Sequence, residues 1–312
     1  MVPVARWDGV EVEELAVGPM RGRYRDLGTA AGSRALGLIR GEIAPGARST
    51  PAHRHGKEEE FVFVLGGSGL SWQDGATYEL APGDCVLHRV NAEAHTLIAS
   101  PAEALDVLVF GPRATDEATH LPHAGVVRIN EAWVAAMGGP DPWELEAAAG
   151  DLPMPEGPSP RHDRIVAVAD VPEKADEHGP HRYAQRNFGV ALGSESTGLR
   201  QITVAAGYEG FPPHCHAAEE ELFVVLSGSG MLLLGDQEWP VEAGTVVSRP
   251  AGTGISHALR ADSGADLVYL AYGERRPDEI VYYPRTGKAY LRGVGAIVDA
   301  GPTGGYWDFA AP

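Results

Sequence analysis

Short apolar runs separated by glycine, proline and polar residues recur along the whole chain. Two of these runs, at residues 61–65 and 222–226, contain only leucine, valine and phenylalanine, and Gly-Ser-Gly follows each within three residues. Such runs, closed by turn residues, are typical of buried strands. Further strands are predicted at residues 36–43, 85–89, 104–110, 198–205, 231–234, 245–249 and 265–271. Short strands at a spacing of about 8–12 residues indicate an all-β sandwich or barrel.

The two Gly-Ser-Gly sequences are interpreted as hairpin turns. A glycine-rich phosphate-binding loop needs a lysine and a helix directly after it, and Gly67-Ser68-Gly69 is followed by neither. These glycines therefore mark the ends of strands and do not predict a nucleotide site.

An internal repeat with an offset of 161 residues sets the domain organisation. The alignment holds its register, with no net insertion, from about residue 28 to residue 87. The matched pairs are Gly28 and Gly189, Gly32 and Gly193, Ser33 and Ser194, Gly37 and Gly198, Leu38 and Leu199, Gly46 and Gly207, and Gly83 and Gly244. Register kept over this length indicates a gene duplication. We therefore predict an N-terminal barrel at residues 1–125, a linker at 126–165, and a C-terminal barrel with a tail at 166–312.

The linker and the tail differ in composition from the repeats. Residues 131–160 contain six acidic residues, six prolines and no lysine or arginine. A short helix is predicted around Trp133 and residues 143–149, and the two tryptophans predict a linker that packs on the barrels. The tail carries apolar patches at residues 279–283 and 294–298, and we expect it to pair with or wrap around a barrel.

Charge and cysteine content narrow the class of protein. The formal net charge of −18 repels phosphate backbones and anionic membranes, which disfavours nucleic acid and membrane partners. Two cysteines are too few for a disulfide scaffold. No export signal or membrane-spanning run is recognised, so a cytoplasmic protein is expected.

Each repeat contains a His-x-His pair that is suited to holding a metal. The pair is His53 and His55 in the first half, with Glu60 five residues later, and the second half repeats it as His214, His216 and Glu221. Imidazoles two residues apart on a strand point to the same face, so they can bind one cation together. By the same alternation, Val62 and Val64, with Phe223 and Val225 in the second copy, are expected to form an apolar cavity wall on the face of the glutamate.

A later histidine completes each candidate set. His257 lies 36 residues after Glu221, and His95 lies 35 residues after Glu60. Three imidazoles and one carboxylate suit Fe, Mn, Ni, Cu, Co or Zn and leave coordination positions open for substrate or water. The sequence thus predicts up to two divalent transition metals per chain.

The pattern Gly-x6-His-x-His-x4-Glu-x6-Gly, followed by Gly-x-x…Pro-x-Gly…His, resembles the paired motifs of the cupin superfamily, which are small jelly-roll β-barrels. The resemblance covers residues 28–112 and 189–272 and implies a bicupin, with two tandem barrels and a metal site in each. Pro250 and Gly252 match the later motif, but Arg89 and Asn91 stand at the aligned positions of the first half. His95, with His88 nearby, is therefore the assignment that the resemblance supports least. The whole chain, including the tail at residues 282–288, most resembles bacterial bicupins for which the resemblance implies no substrate.

Other polar residues are given structural roles. Glu58, Glu59, Glu219 and Glu220 are interpreted as mainly solvated charge, and Cys85 and Cys215 as structural, with Cys215 facing away from the metal. Arg40 and Gln201, and Glu42 and Thr203, share register positions and are either substrate contacts or a plain polar strand face, which we favour. The remaining histidines are expected to bind no metal: His120, His123, His162, His178 and His181.

Three functions fit the resemblance. The first is a metal-dependent oxygenase of the dioxygenase type, or a related redox enzyme, acting on a small organic molecule, with Glu60 or Glu221 moving a proton. The spacing is similar to that of flavonol-cleaving bicupins, whereas gentisate-type bicupins lack the glutamate. The second is a non-redox isomerase or lyase that uses the metal as a Lewis acid. Oxalate-degrading bicupins are of this type, but Thr50 and Phe211 replace their carboxylate-holding arginine. The third is a non-catalytic binding protein. A homodimer is compatible with each of these three functions.

Overall fold

A computed structural model describes residues 4–129, 132–133 and 141–300. Strands dominate this part of the chain. Those of the first half and the linker are β1 Val4–Arg6, β2 Glu13–Val17, β3 Met20–Asp26, β4 Leu36–Ile43, β5 Glu60–Gly66, β6 Gly69–Gln73, β7 Ala76–Leu80, β8 Asp84–His88, β9 His95–Ala99, β10 Leu105–Pro112, β11 Ala118–Leu121, β12 Val126–Ile129 and β13 Ala132–Trp133.

The second half repeats this order of elements. Its strands are β14 Ile165–Ala167, β15 Glu173–His178, β16 His181–Asn187, β17 Thr197–Val204, β18 Cys215–His216, β19 Glu221–Ser227, β20 Ser229–Leu234, β21 Gln237–Glu242, β22 Thr245–Arg249, β23 His257–Ala261, β24 Leu267–Glu274, β25 Ile280–Tyr283, β26 Lys288–Leu291 and β27 Ala296–Asp299. The helices are α1 Leu27–Ala30, α2 Pro142–Ala148 and α3 Phe188–Leu192, and two 3-10 turns span Val168–Asp170 and Arg292–Val294. The strands predicted from the apolar runs are therefore confirmed.

Each half pairs one large sheet with one small sheet. The large sheets have the orders β14-β8-β5-β10-β4-β3-β2 and β1-β22-β19-β24-β17-β16-β15, and the small sheets are β7-β6-β9 and β21-β20-β23. The predicted all-β fold with two barrels is confirmed. A turn is present at Gly67, but the prediction of a hairpin is wrong, because β5 pairs with β8 and β10 whereas β6 pairs with β7 and β9, so the turn connects the large sheet to the small one. The φ of Gly67 is +75°, and a Cβ there would lie 1.9 Å from the carbonyl oxygen of Ala104, so only glycine fits.

Two strands are exchanged between the halves. β1 pairs with β22 of the second half, and β14 pairs with β8 of the first half. A strand that leaves its own half in this way ties the two sheets together through backbone hydrogen bonds. The division at residues 1–125, 126–165 and 166–312 stays a prediction, because pairing of strands does not by itself define a domain.

Both faces of the central strands are buried, which explains their continuous apolar sequence. Val62 and Val64 of β5 face the barrel interior, while Phe61 and Phe63 face a core that contains residues of both halves. In that shared core the ring of Tyr272 lies 6.1 Å from the ring of Phe61. The same alternation sends Glu60 towards the barrel interior and Glu59 towards the other half.

The linker and the tail are ordered against the barrels, as predicted. Trp143 of α2 lines a cavity of the first barrel, and Glu146 of α2 forms a fully buried ion pair with Arg48, at 3.0 Å. Strand β25 of the tail pairs with β18, directly beside His216. Only the backbone of Trp133 is described, so the packing predicted for its side chain lies outside the described residues, as do residues 301–312.

Candidate metal centres

The first cluster is built where two strands approach at the mouth of the first barrel. His53 and His95 lie opposite each other and exchange two backbone hydrogen bonds, of 3.0 and 2.8 Å. Glu60 begins β5 and points between the imidazoles, with Oε1 3.4 Å from Nε2 of His95 and Oε2 3.5 Å from Nε2 of His55. All four predicted residues of this half therefore meet at one point.

The second cluster has the same construction and closer contacts. His214 and His257 exchange backbone hydrogen bonds of 3.1 and 2.8 Å. Oε2 of Glu221 lies 2.9 Å from Nε2 of His257 and 3.1 Å from Nε2 of His216. In each cluster the four potential ligand atoms lie within 4.8 Å of one another. The structure thus brings together the eight residues that the sequence singled out.

His88 stands beside the first cluster and is not one of its four members. Its ring stacks on the ring of His95, with centroids 3.7 Å apart and planes 2° from parallel. Burial lowers the pKa of His88 to about 4, so the ring is neutral at physiological pH. The aligned position of the second half holds Arg249, whose guanidinium donates to the carbonyl of Ile255.

The electrostatics of both clusters fit a bound cation. Burial lowers the pKa of His53 and of His257 to about 3, so both rings are neutral and offer lone pairs. Burial opposes a charge on His55 and His216 as well, but neighbouring glutamates outweigh it and raise both pKa values to about 10. Within the described residues, the buried Nε2 atoms of His55, His95 and His216 make no hydrogen bond of good geometry, although a glutamate oxygen lies 3.1–3.5 Å from each. A divalent cation would satisfy these nitrogens and balance the buried glutamate.

A further pair of glutamates, not predicted from the sequence, supports the His-x-His pairs. Oε1 of Glu279 lies 3.2 Å from Nδ1 of His216 and accepts from the backbone N–H of Ala217. Glu117 is its counterpart, with Oε1 3.5 Å from Nδ1 of His55 and a 2.7 Å hydrogen bond from the N–H of Gly56. A carboxylate on the far nitrogen orients an imidazole and raises its basicity.

The interpretation of the Glu-Glu-Glu runs as mainly solvated charge is wrong. Glu59, Glu219 and Glu220 are each at most 3% exposed. Glu59 accepts hydrogen bonds from the hydroxyl of Ser194, at 2.8 Å, and the N–H of Glu195, at 2.9 Å. These partners belong to the other half of the chain, so no local pattern could identify them. Only the predicted direction of the last glutamate of each run, towards the histidines, agrees with the structure.

Glu220 and Glu219 hold different parts of the second half in place. Glu220 makes the equivalent contact in the opposite direction: its carboxylate accepts a hydrogen bond from the N–H of Ala35 in the first half, at 2.6 Å. Glu219 accepts from the N–H of Arg276 and the guanidinium of Arg292, each at 2.6 Å. The two glutamates therefore fix the approach of the first half and of the tail to the second cluster.

A cavity of about 610 Å³ opens beside the first cluster. Its wall contains His53, Glu60 and His95 together with mainly apolar and aromatic side chains. The linker helix α2 closes one side through Trp143, and strand β2 contributes Leu15. The cavity can therefore enclose an apolar or aromatic molecule next to the cluster.

A smaller cavity, of about 270 Å³, opens beside the second cluster. Phe211, Phe223 and Tyr269 form an aromatic wall, and the tail contributes Tyr283, whose ring lies 5.7 Å from the ring of His214. This wall also carries arginines, which the first cavity lacks among the residues that the structure describes.

The remaining polar residues stay outside the clusters. Arg40 pairs with Asp106 at 2.8 Å and stacks over Trp7, while Glu42 pairs with Arg25, so they belong to a polar strand face. Cys85 and Cys215 are buried free thiols, and burial raises their pKa values. In the described part of the chain, none of the five histidines predicted to bind no metal joins a group of metal-ligating side chains: His120, His123, His162, His178 and His181.

Comparison with known proteins agrees with this geometry. The model of the cupin domain matches residues 39–111 and again 200–272. Auxin-binding protein 4 of Zea mays is 30% identical over 159 residues, which are 45% of this chain and 72% of that protein. The chain belongs to the cupin family. It carries two cupin domains, as the resemblance in its sequence predicted.

Solved structures share the bicupin fold over most of the chain. An oxalate decarboxylase of Lactobacillus farciminis, in a formate complex, has a TM-score of 0.58 at 14% identity and covers 87% of this bicupin and 86% of its own chain. A deletion mutant of oxalate decarboxylase from Bacillus subtilis has a TM-score of 0.57 at 15% identity, with coverages of 86% and 76%. At such identities the likeness concerns the fold alone. Within the described residues of the bicupin, no helix has the length and apolar character needed to cross a membrane.

Proposed function

We propose that this bicupin is a metal-dependent enzyme that acts on a small organic molecule. The observation that carries the proposal is the convergence, twice, of three imidazoles and one carboxylate at the edge of an enclosed cavity. The proposed ligands are His53, His55, Glu60 and His95, and His214, His216, Glu221 and His257. This mixed nitrogen and oxygen set suits Fe, Mn, Ni, Cu, Co or Zn.

When bound, such a metal supplies Lewis acidity and, if it is redox-active, electrons. The side chains of the protein supply the other functions of the site. The neutral rings of His53 and His257 would help to hold the ion, and the aromatic wall of the second cavity would limit the access of water. Glu60 and Glu221 are the proposed catalytic residues, because each lies within 3.5 Å of two imidazoles, lines the cavity and can accept or return a proton.

An oxygenase or a related redox enzyme is the reaction class we favour. A set of four protein ligands leaves positions at which a substrate oxygen and a second small molecule can bind side by side. The apolar wall of the first cavity, with Trp143 and Leu15, suits an aromatic or aliphatic substrate and is typical of a site from which water is excluded.

A non-redox lyase or isomerase is the second candidate. The fold it shares with oxalate decarboxylases and the arginines of the second cavity favour a carboxylate substrate. Oxalate itself fits poorly, because Thr50 and Phe211 stand where oxalate-degrading bicupins carry an arginine.

Metal analysis and oxygen consumption together test these proposals. Protein purified without chelator and supplemented with Fe, Mn or Zn should contain about two metal ions per chain, and a content near zero would refute the metal function. Oxygen uptake with phenols, flavonols or diketones supports the oxygenase. Turnover of carboxylic acids without oxygen uptake supports the lyase, and metal with tight ligand binding but no turnover supports a binding protein.

A further inference from the structure

One arginine of the second cavity, Arg200, has no hydrogen-bond or ion-pair partner among the residues that the structure describes. Gly198, Arg200 and Ile202 lie at alternate positions of β17 and all line this cavity. Within the described residues, the guanidinium of Arg200 forms no ion pair and no hydrogen bond, and the residue is exposed to the cavity. An arginine that lines a site and lacks a protein partner is available to an anion.

The other charged groups of the same wall are already engaged. Arg292 donates to Glu219 at 2.6 Å, and Arg275 donates to the carbonyl of Ser194 at 3.0 Å. Glu274 accepts from the N–H of Glu220 at 3.3 Å. Burial and then the charge of Arg200 lower the pKa of Arg275, which places two cations close together. Arg200 and Arg275 are therefore neighbouring cations, and no carboxylate of the described residues pairs with Arg200.

The sheet register sets the distance between Arg200 and Glu221 of the metal cluster. Arg200 lies opposite Ala271 of β24, and Ala271 lies opposite Phe223 of β19. Glu221 is two residues before Phe223 on the same face. With neighbouring strands about 4.8 Å apart and residues about 3.4 Å apart along a strand, the two backbones are separated by about 12 Å. Both residues line the same cavity, and their side chains take up part of this separation, so a molecule of about four to six carbons is of suitable length to reach from one to the other.

No arginine is present among the described residues that line the first cavity. Ile39 occupies the position that corresponds to Arg200, and it lies opposite Val109, which in turn lies opposite Val62. All three side chains are apolar, and Ile39 and Val109 line the first cavity. The duplicated clusters therefore open into cavities of different chemistry, because only the second carries arginines among the described residues of its lining.

We propose that the second site takes an organic anion, with an oxygen donor at one end directed to the metal cluster and a carboxylate at the other end bound by Arg200. This inference rests on the metal function proposed above. It makes Arg200 a specificity-determining residue and assigns small acids with a second, distal carboxylate to the second site, while neutral apolar molecules fit the first.

Matched acids test the inference on the full chain loaded with Co²⁺. The first pair of probes is 2-oxoglutarate with 2-oxopentanoate, and the second pair is 2-oxoadipate with 2-oxohexanoate. Each pair shares its chain length and its chelating end and differs only in the distal carboxylate. Dissociation constants are measured by titration calorimetry on the wild type, Arg200→Gln and the control Arg260→Gln. Arg260 is paired with Glu238 outside the cavity.

In at least one pair, the diacid should bind about tenfold more tightly than the monoacid, because its distal carboxylate forms a charge-assisted hydrogen bond. This preference should be present in the wild type and in Arg260→Gln. Arg200→Gln should reduce this preference to less than threefold with unchanged metal content. Equal binding within both pairs, or a preference that survives in Arg200→Gln, would overturn the anion site. Absence of bound Co²⁺ would instead overturn the metal function, and the inference with it.

Discussion

The carboxylate of Glu279 lies 3.2 Å from Nδ1 of His216 and thereby links the tail to the second metal cluster. Glu279 is 1% exposed, and it also accepts hydrogen bonds from the N–H groups of Ala218, at 2.9 Å, and Glu219, at 2.8 Å. One side chain of the tail therefore holds both the imidazole and the backbone loop that carries it. In this arrangement Nδ1 is occupied, so Nε2 is the nitrogen left to face the cluster.

Replacing Glu279 by Gln should weaken metal binding at the second site by about tenfold, because the amide no longer fixes the imidazole or raises its basicity. A competition titration with a chromophoric chelator measures the two affinities per chain. The matched variant Glu117→Gln should weaken the first site instead. An unchanged second affinity in Glu279→Gln would show that the tail carboxylate does not position His216.

Replacing His216 by Ala should remove the metal of the second half and leave that of the first. The two clusters share no residue, and each draws its histidines from its own barrel. Elemental analysis should therefore fall from about two ions per chain to about one, and His55→Ala should give the same value. Loss of both ions in either variant would show that the sites are not independent.

Most of the fold and six of the eight cluster residues could be predicted because the repeat places them in register, and His95 and His257 correspond after a shift of one residue. The glutamates that support the clusters could not, since Glu117 and Glu279 lie beyond the matched motifs at residues 28–112 and 189–272 and no spacing rule links them to the histidines. The burial of Glu59 and Glu220 was mispredicted for a different reason. Glu59 and Glu220 each accept hydrogen bonds from groups 135 or more residues away, in the opposite half, and a local pattern of charge does not reveal such a contact.

Replacing Glu59 by Gln should destabilise the protein at neutral pH by about 2–3 kcal/mol, because charge-assisted hydrogen bonds to the opposite half are lost. Burial favours the neutral acid, but the hydrogen bonds from Glu195, Ser194 and Ser196 outweigh it and lower the pKa of Glu59. The carboxylate thus contributes stability above the unfolded-state pKa of a glutamate, about 4.3, and the contribution is lost as the pH falls through the lower folded value.

Urea unfolding at a series of pH values measures this effect. The difference in unfolding free energy between the wild type and Glu59→Gln should be largest above about pH 5 and should shrink on acidification. Glu238→Gln, at an exposed ion pair, should change stability by less than about 0.5 kcal/mol at any pH. A difference for Glu59→Gln that grows towards acid pH would contradict the hydrogen-bonded carboxylate.

Removal of one partner from the buried pair of Arg48 and Glu146 should destabilise the protein strongly, whereas replacement of both by apolar residues should destabilise it little. Glu146 is fully buried and Arg48 nearly so, and Glu146 also accepts from the N–H of Ala52 at 3.3 Å. Glu146→Ala leaves the guanidinium buried without its partner, so a loss of about 3–5 kcal/mol in the free energy of unfolding is expected. The double variant Arg48→Met with Glu146→Leu removes both charges and should lose much less.

The same pair fixes the linker helix over the first cavity, which adds a second readout. Hydrogen exchange of residues 143–148 should accelerate in Glu146→Ala and remain slow in the double variant, because only the single variant leaves an unpaired buried charge beneath the helix. Metal content of the second site should not change in either protein, since its residues are not in contact with this pair. Equal destabilisation by the single and double variants would contradict this explanation, because the double variant leaves no unpaired buried charge.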